Sequence, residues 1–388
     1  MTLDCMEPKA QALATPTEVN IPLHANSEDV VITDRGGIIE NKHRIHAAVV
    51  DPEGKLHYAV GDPDRVTLAR SAAKPIQALA ILETGAADRF QFDDADIALM
   101  CASHSSEPQH ITRAQEMLKK AGSKEEDLVC GGHPALSAAI NRAWAEKCYV
   151  PTGICNNCSG KHAGMIAGAI CLDGTVPGYH EACHPMQLRV KQTVEDISGL
   201  CNGEVQWAID GCNLPAPAMP LCNLALMYAR LAEARDGQVE EPTLQDASLL
   251  ETESARRRHH LARIHQSMST YPDMVGGSGR FCTALMRAYE GALVGKLGAD
   301  GCYGIAVRAP PDSSSQYGLK RNAIGMAVKV EDGNIEVLYS AVMEILEQLN
   351  IGTKDMRQQL AGFHHPNIVN TAGVVTGSFK HQFEVRSL

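Results

Sequence analysis

His43-Arg44-Ile45-His46-Ala47-Ala48-Val49-Val50-Asp51-Pro52-Glu53-Gly54-Lys55-Leu56-His57-Tyr58-Ala59-Val60-Gly61 sets two apolar runs on either side of Asp51-Pro52-Glu53-Gly54. The central tetrapeptide carries the residues a tight turn needs, so the stretch predicts a β-hairpin and an antiparallel pair. Upstream, the β-branched Val30-Val31-Ile32-Thr33 reads as a further strand. Strand signals return only late: Tyr303 to Ala309 and Asn322 to Val330 around the loop Pro310 to Lys320, then Asn370 to Phe383, interrupted by Gly373 and Gly377. The long middle is helical in pattern, with helices expected at about 74–84, 108–121, 136–147, 159–172, 185–197, 220–235, 252–269 and 281–290, and one more from Ile335 to Leu349. Ile97 to Cys101 and Val205 to Ile209 are short apolar runs with strand character. Strands at both ends with helices between them predict an α+β fold, a largely antiparallel sheet built from both chain ends with helices packed on it. No repeat or strong linker divides the chain. Residues 1–27 read as a polar, flexible extension, 28–388 as a single catalytic domain, and 235–250 as a surface excursion within it.

The chain has 388 residues and a formal charge of −11, from 35 basic and 46 acidic side chains. That balance argues against nucleic acid or an anionic membrane as a partner, since both require a basic footprint. The one basic run, Arg256-Arg257-Arg258-His259-His260, reads as a solvated helix face. No segment is long and apolar enough to span a bilayer. Met1-Thr2-Leu3-Asp4-Cys5-Met6-Glu7 lacks the basic start and apolar run of a secretory signal. Thirteen cysteines, an odd number without scaffold spacing, read as reduced thiols of a cytoplasmic protein.

Arg70-Ser71-Ala72-Ala73-Lys74-Pro75 supplies a nucleophile candidate. Residues three apart share a helix face, and a desolvated, neutral lysine can take a serine proton. Pro75 places both residues in or beside the first helical turn, where free N–H groups favour a developing oxyanion. The competing reading is a capping serine followed by a solvent-facing lysine. Ser103 lies in Cys101-Ala102-Ser103-His104-Ser105-Ser106-Glu107, at the end of an apolar run where site residues often sit, or else as part of a hydroxyl-rich helix cap. Gly295-Lys296-Leu297-Gly298 adds a lysine that is otherwise a surface turn residue. Ser-x-x-Lys, a serine cluster and Lys-x-Gly follow the order of the three motifs of penicillin-binding proteins and class A β-lactamases. The parallel is partial, with no Ser-Asp-Asn and with Leu297 in place of threonine.

Cys155-Asn156-Asn157-Cys158-Ser159-Gly160-Lys161-His162-Ala163-Gly164-Met165 is the most unusual stretch. Its C-x-x-C suggests redox chemistry or half a zinc site, with Cys155, Cys158, His162, Cys212 and Asp210 as candidate ligands. Spacing does not choose among them. A tightly packed Gly/Ala-rich helix explains much of the same pattern.

Taken together, Arg70 to Gln77, Ala102 to Ser105, Cys155 to Met165, Asp210-Gly211-Cys212 and Gly279-Arg280-Phe281 resemble the asparaginase II family, over roughly residues 28 to 385. The resemblance implies a fold similar to serine β-lactamases, penicillin-binding proteins and glutaminases. It implies two serine–lysine pairs, Ser71 with Lys74 and Ser103 with Lys296. It also implies a zinc ion on Cys158, Lys161 and Cys212, with Cys155 structural, and a homodimer. The expected activity is hydrolysis of L-asparagine to aspartate and ammonia through an acyl-enzyme, with Arg70 and Asp210 holding the substrate's carboxylate and ammonium. Alternatives are a glutaminase, a β-lactamase-like serine amidase, or a zinc or redox module without catalysis. Two positions depart from the family pattern: Asn213 stands where relatives commonly carry glycine, and Cys282 where an aspartate is frequent.

Overall fold

The hairpin forms where the sequence places it. In the computed structural model, Ala47, Ala48 and Val49 pair antiparallel with Val60, Ala59 and Tyr58. Asp51 holds the turn, its Oδ1 accepting from the backbone N–H groups of Glu53 at 3.1 Å and Lys55 at 2.9 Å. Gly54 takes the positive φ of 86° that the turn requires. The structure describes residues 29–201, 203–236, 253–308 and 323–388. The expected extension at 1–27, the loop Pro310 to Lys320, and the 235–250 excursion beyond its first two residues lie outside the described residues.

In chain order the described strands are β1 (Val30–Arg35), β2 (Ile38–Val50), β3 (Leu56–Val60), β4 (Val66–Leu68), β5 (Gln206–Ile209), β6 (Pro215–Pro220), β7 (Leu293–Gly298), β8 (Cys302–Arg308), β9 (Ala323–Val330), β10 (Asn367–Val369), β11 (Val375–Gln382) and β12 (Arg386–Ser387). The main sheet runs β10-β11-β1-β2-β9-β8-β7, with β3 joining β2 to β12. Every pairing in it is antiparallel. The architecture is therefore α+β, with a sheet assembled from both chain ends. A second, smaller sheet, β4-β6-β5, is also antiparallel.

Helices Leu221–Asp236 and Ile335–Gln348 both pack on β8 and β9. Strands β7 and β9 are buried along their whole length, and β8 in all but its last residue, Arg308. Covering of this kind leaves no face for polar alternation. Two glycines permit the close fit of Leu221–Asp236. A Cβ at Gly325 would overlap the Ala225 backbone, and one at Gly304 would overlap the Tyr228 ring. Tyr228 is thereby pressed toward the middle of the molecule, where its hydroxyl donates to the Ala72 carbonyl at 2.6 Å.

The helices fall close to their expected bounds, among them Lys74–Leu82, Pro108–Lys120, Ser159–Leu172 and Pro185–Ser198. One segment differs. Ile97 to Cys101 is not a strand but the last turns of helix Asp94–Met100. Asp93 caps that helix, accepting from the Asp96 N–H at 2.9 Å while the Asp96 carboxylate accepts from the Asp93 N–H at 3.1 Å. The apolar run is a buried helix end, whose length alone cannot separate it from a short strand. Among the described residues, no helix is long and apolar enough to cross a membrane.

Candidate active site

Ser71 sits on a single 3-10 turn, Arg70–Ala73, that leads directly into helix Lys74–Leu82 with Pro75 in its first turn. The entry is conformationally costly. Arg70 has a φ of 49°, a left-handed value uncommon for residues other than glycine. Two acids hold it there: its Nε donates to Asp210 Oδ1 at 2.6 Å, and its Nη1 donates to Asp300. On the other side β7 approaches the turn so closely that a Cβ on Gly298 would overlap the Ala69 carbonyl. The glycine of Lys296-Leu297-Gly298 is thus what lets the strand carrying Lys296 reach the turn carrying Ser71. Ser71 itself is half-buried, while Lys74 and Lys296 are 0% and 1% exposed.

The two lysines converge on one hydroxyl. Lys296 Nζ donates to Ser103 Oγ at 2.9 Å and to the Leu297 carbonyl at 2.6 Å. Lys74 Nζ donates to Ser103 Oγ at 3.2 Å, to Cys158 Sγ at 3.1 Å and to the Ala102 carbonyl. The hydrogen bonds of Lys74 do not include Ser71 Oγ. Ser103 bridges the lysines, and Ser71 stands at the more open edge of the group. Burial pushes Lys296 down to about 7, with the neighbouring Lys74 charge acting in the same direction. A buried amine that is neutral near pH 7 can accept a proton, which an exposed lysine cannot do.

The Ser103 segment is pinned from two sides. The Ser103 N–H donates to the Val275 carbonyl at 3.0 Å and the His104 N–H to the Asn157 carbonyl at 3.2 Å. His104 Nδ1 accepts from the Ser106 N–H at 3.1 Å, so its Nε2 carries the proton toward Ser159 Oγ, 2.9 Å away. Burial holds His104 well below the usual imidazole range, so the ring serves as a neutral brace. Arg280 Nη1 reaches the Ser103 carbonyl at 3.5 Å and Ser105 Oγ at 3.3 Å.

Beyond Lys74 lies the cluster of Cys158, Lys161 and Cys212, all buried. Lys161 Nζ donates to Cys212 Sγ at 3.3 Å. The hydrogen bond between the two thiols and the Lys161 charge push Cys212 down to about 5, against burial. The same hydrogen bond, together with burial, pushes Cys158 up to about 12, making Cys212 the thiolate of the pair. Burial alone would lower Lys161, but Cys212, Cys158 and Asp210 outweigh it and hold the amine protonated. Two sulfurs and an amine suit zinc in donor type. The 3.3 Å separation is close to the roughly 3.6 Å that Zn–S and Zn–N bonds span at a tetrahedral angle. The set fits such an ion once Lys161 and Cys158 release their protons. His162 is not part of it; its Nδ1 bonds the Tyr179 hydroxyl at 2.6 Å. Cys155 lies against the Tyr149 hydroxyl at 3.1 Å, and none of the twelve described cysteines is in a disulfide. A separate donor cluster, His364, His365 and His381, occupies the C-terminal elements.

The family model described as L-asparaginase II matches residues 31–381. The chain belongs to the L-asparaginase II family. No curated protein matches the chain. Among solved structures, it is similar to Mglu in its native form, at 15% identity and a TM-score of 0.38, over 79% of this chain and 65% of that one. It is also similar to a Bacillus glutaminase, at 14% identity and a TM-score of 0.34, over 79% of this chain and 91% of that one. The chain thus spans just under two thirds of the length of Mglu. At these scores neither likeness bears on the argument.

Family membership throws the two departures into relief. Asn213, where the family resemblance led to an expectation of glycine, has a φ of 69°, a left-handed value that asparagine and glycine both tolerate. Cys282 Sγ accepts from the Leu297 N–H at 3.3 Å and the Tyr303 hydroxyl at 3.2 Å, steadying β7 next to Lys296. Arg70 and Asp210, expected to hold substrate, pair with each other. Tyr228 and Arg280 were not singled out as site residues. Only Arg280 had a signal, its place in Gly279-Arg280-Phe281.

Proposed function

We propose that this L-asparaginase II family member hydrolyses the side-chain amide of L-asparagine to L-aspartate and ammonia. What carries the reading is the convergence of Lys74 and Lys296 on Ser103 Oγ, with the half-buried Ser71 on the turn that leads into the helix of Lys74. Ser71 Oγ bonds to the amide carbon. Its proton passes to Lys74 and through the Ser103 hydroxyl to Lys296, the amine that is neutral near pH 7. Two ammonium groups on one hydroxyl repel each other, and this keeps the relay short of one proton until Ser71 supplies it. The C–N bond then breaks as the relay returns the proton to the leaving nitrogen, releasing ammonia. Water attacks the aspartyl ester, and Ser71 recovers its hydroxyl proton. Backbone N–H groups at the turn and helix start receive the developing oxyanion.

The substrate's charged groups would exchange with the Arg70–Asp210 pair, carboxylate to guanidinium and ammonium to carboxylate. Zinc would be held by Cys158, Lys161 and Cys212, where it would act as a Lewis acid and a structural anchor. Lys74 already contacts Cys158, so order in that cluster bears on the position of the relay. The reading is tested by Ser71→Ala. Ammonia release from L-asparagine should disappear while the far-ultraviolet circular dichroism is unchanged. A folded variant that still releases ammonia overturns the mechanism. A side-by-side assay on L-glutamine decides between asparaginase and glutaminase, a difference of one methylene worth ~1–3 kcal/mol in a pocket.

A further inference from the structure

We infer that His364, His365 and His381, together with Glu344, form a second divalent-metal site that ties the C-terminal hairpin to helix Ile335–Gln348. The inference is independent of the amidase reading. The three histidines each offer a ring nitrogen within 4.8 Å of the others. They come from separate parts of the fold. His364 closes helix Ala361–His364, His365 follows it, and His381 lies on β11, while Ser340 and Glu344 occupy one face of helix Ile335–Gln348.

A count of protons leaves one contact in the cluster that needs a proton or a metal ion to bridge it. The Ser340 hydroxyl has one proton and donates it to the His364 carbonyl at 2.6 Å. Toward His381 Nε2, 2.7 Å away, Ser340 Oγ can therefore only accept. This puts the proton of a neutral His381 on Nε2 and leaves Nδ1 as a lone pair. That lone pair faces Glu344 Oε2 at 3.2 Å. Two acceptors do not approach so closely without a proton or a metal ion between them. The other carboxylate oxygen, Oε1, is occupied by Gln348 Nε2 at 2.8 Å, so Oε2 is committed to the imidazoles. His364 Nε2 meets the same oxygen at 2.8 Å. His365 stacks on His364 with ring centroids 3.8 Å apart and is exposed, which gives an ion a route in from solvent.

Ser340 thus plays the part usually taken by an outer hydrogen-bond partner, fixing the tautomer so that the other nitrogen can ligate. Imidazoles with one carboxylate suit zinc, nickel or copper rather than calcium or magnesium. A single divalent ion satisfies Nδ1 of His381, the carboxylate and the remaining rings together. A proton would serve only one pair, and would place a charged imidazolium against two further rings.

The test uses the full chain, stripped with a chelator and titrated with cobalt(II) by absorption spectroscopy and with zinc by calorimetry. The expected result is a class of bound cobalt without thiolate charge-transfer absorption, distinct from any cobalt on Cys158 and Cys212. His365→Ala should weaken that class at least ~10–100-fold, and His381→Asn should abolish it. Zinc should raise the thermal midpoint of the wild type more than that of His365→Ala. Since His365 is exposed, that variant carries the test even if His381→Asn fails to fold. Two results overturn the proposal: cobalt bound with thiolate character only, or equal metal stoichiometry and affinity in the wild type and His365→Ala, which would mark an imidazolium–carboxylate cluster without metal.

Discussion

Lys296→Met removes a buried charge while keeping an unbranched side chain of similar length. In the folded chain the Lys296 pKa falls from 10.5 to about 7, with burial as the main cause. A gap of about 3.5 units at ~1.4 kcal/mol each places roughly 5 kcal/mol against the protonated amine. The sign follows from proton counting. Below about pH 7 both the folded and unfolded chains hold the proton, so the full penalty applies. Between about 7 and 10.5 the unfolded chain binds more protons, so the wild type gains stability as pH rises. Methionine has no such dependence. The variant forfeits the bonds to Ser103 Oγ and the Leu297 carbonyl, and an orphaned buried acceptor costs ~1–3 kcal/mol. Near pH 6 the variant should therefore be more stable than the wild type by about 2–4 kcal/mol, with the difference shrinking toward pH 9. Its ammonia release should fall by a factor of ~10²–10⁴, the contribution of a positioned proton-transfer group. Urea unfolding at both pH values, alongside an ammonia assay, reads all three quantities. A variant less stable than the wild type near pH 6, or a stability difference that does not narrow with pH, refutes the burial argument; an active variant refutes the relay.

Three further outcomes are expected. In the wild type, kcat/KM should rise with pH along a limb of apparent pKa about 7 as Lys296 becomes neutral, and the limb should be absent from the residual activity of Lys296→Met. Ser103→Ala deprives both lysines of their shared hydroxyl, so ammonia release should drop ~10²–10⁴-fold while the protein, checked by circular dichroism, stays folded. Gly298→Ala drives a Cβ into the Ala69 carbonyl; unfolding titrations should show a loss of ~1–3 kcal/mol, and activity should fall because the Ser71 turn is displaced.

The two ends of the sheet were legible because their signals are local. Asp51-Pro52-Glu53-Gly54 specifies a turn, and the apolar runs on either side of it leave little choice. The helices were legible from spacing and from Pro75, Pro108 and Pro185 at their starts. Ile97 to Cys101 misled because a short buried apolar run fits either element; the deciding residues were Asp93 and Asp96, just upstream. Strand β7 was missed for a different reason. Gly295 and Gly298 look like turn residues, yet each is there because something packs too closely for a side chain: Leu285 and Tyr303 on the first, the Ser71 turn on the second. The site depended on long-range contacts. Lys74 and Lys296 meet at Ser103 across 29 and 193 positions of chain, and nothing in their spacing shows that. Nor does spacing reveal that Lys74 touches Cys158, joining the serine relay to the thiol–amine cluster. Family likeness pointed to Ser71, Lys74, Ser103 and Lys296, and only the folded geometry shows that Ser103, not Ser71, receives both lysines.

The most direct test of the acyl-enzyme mechanism is an acid quench during turnover of L-asparagine, followed by proteolysis and mass spectrometry of the peptides. An aspartyl ester on the peptide carrying Ser71, absent from Ser71→Ala, is the expected result. An ester on Ser103, or turnover without any covalent adduct in a rapid quench of the Lys296→Met variant and the wild type alike, would contradict it.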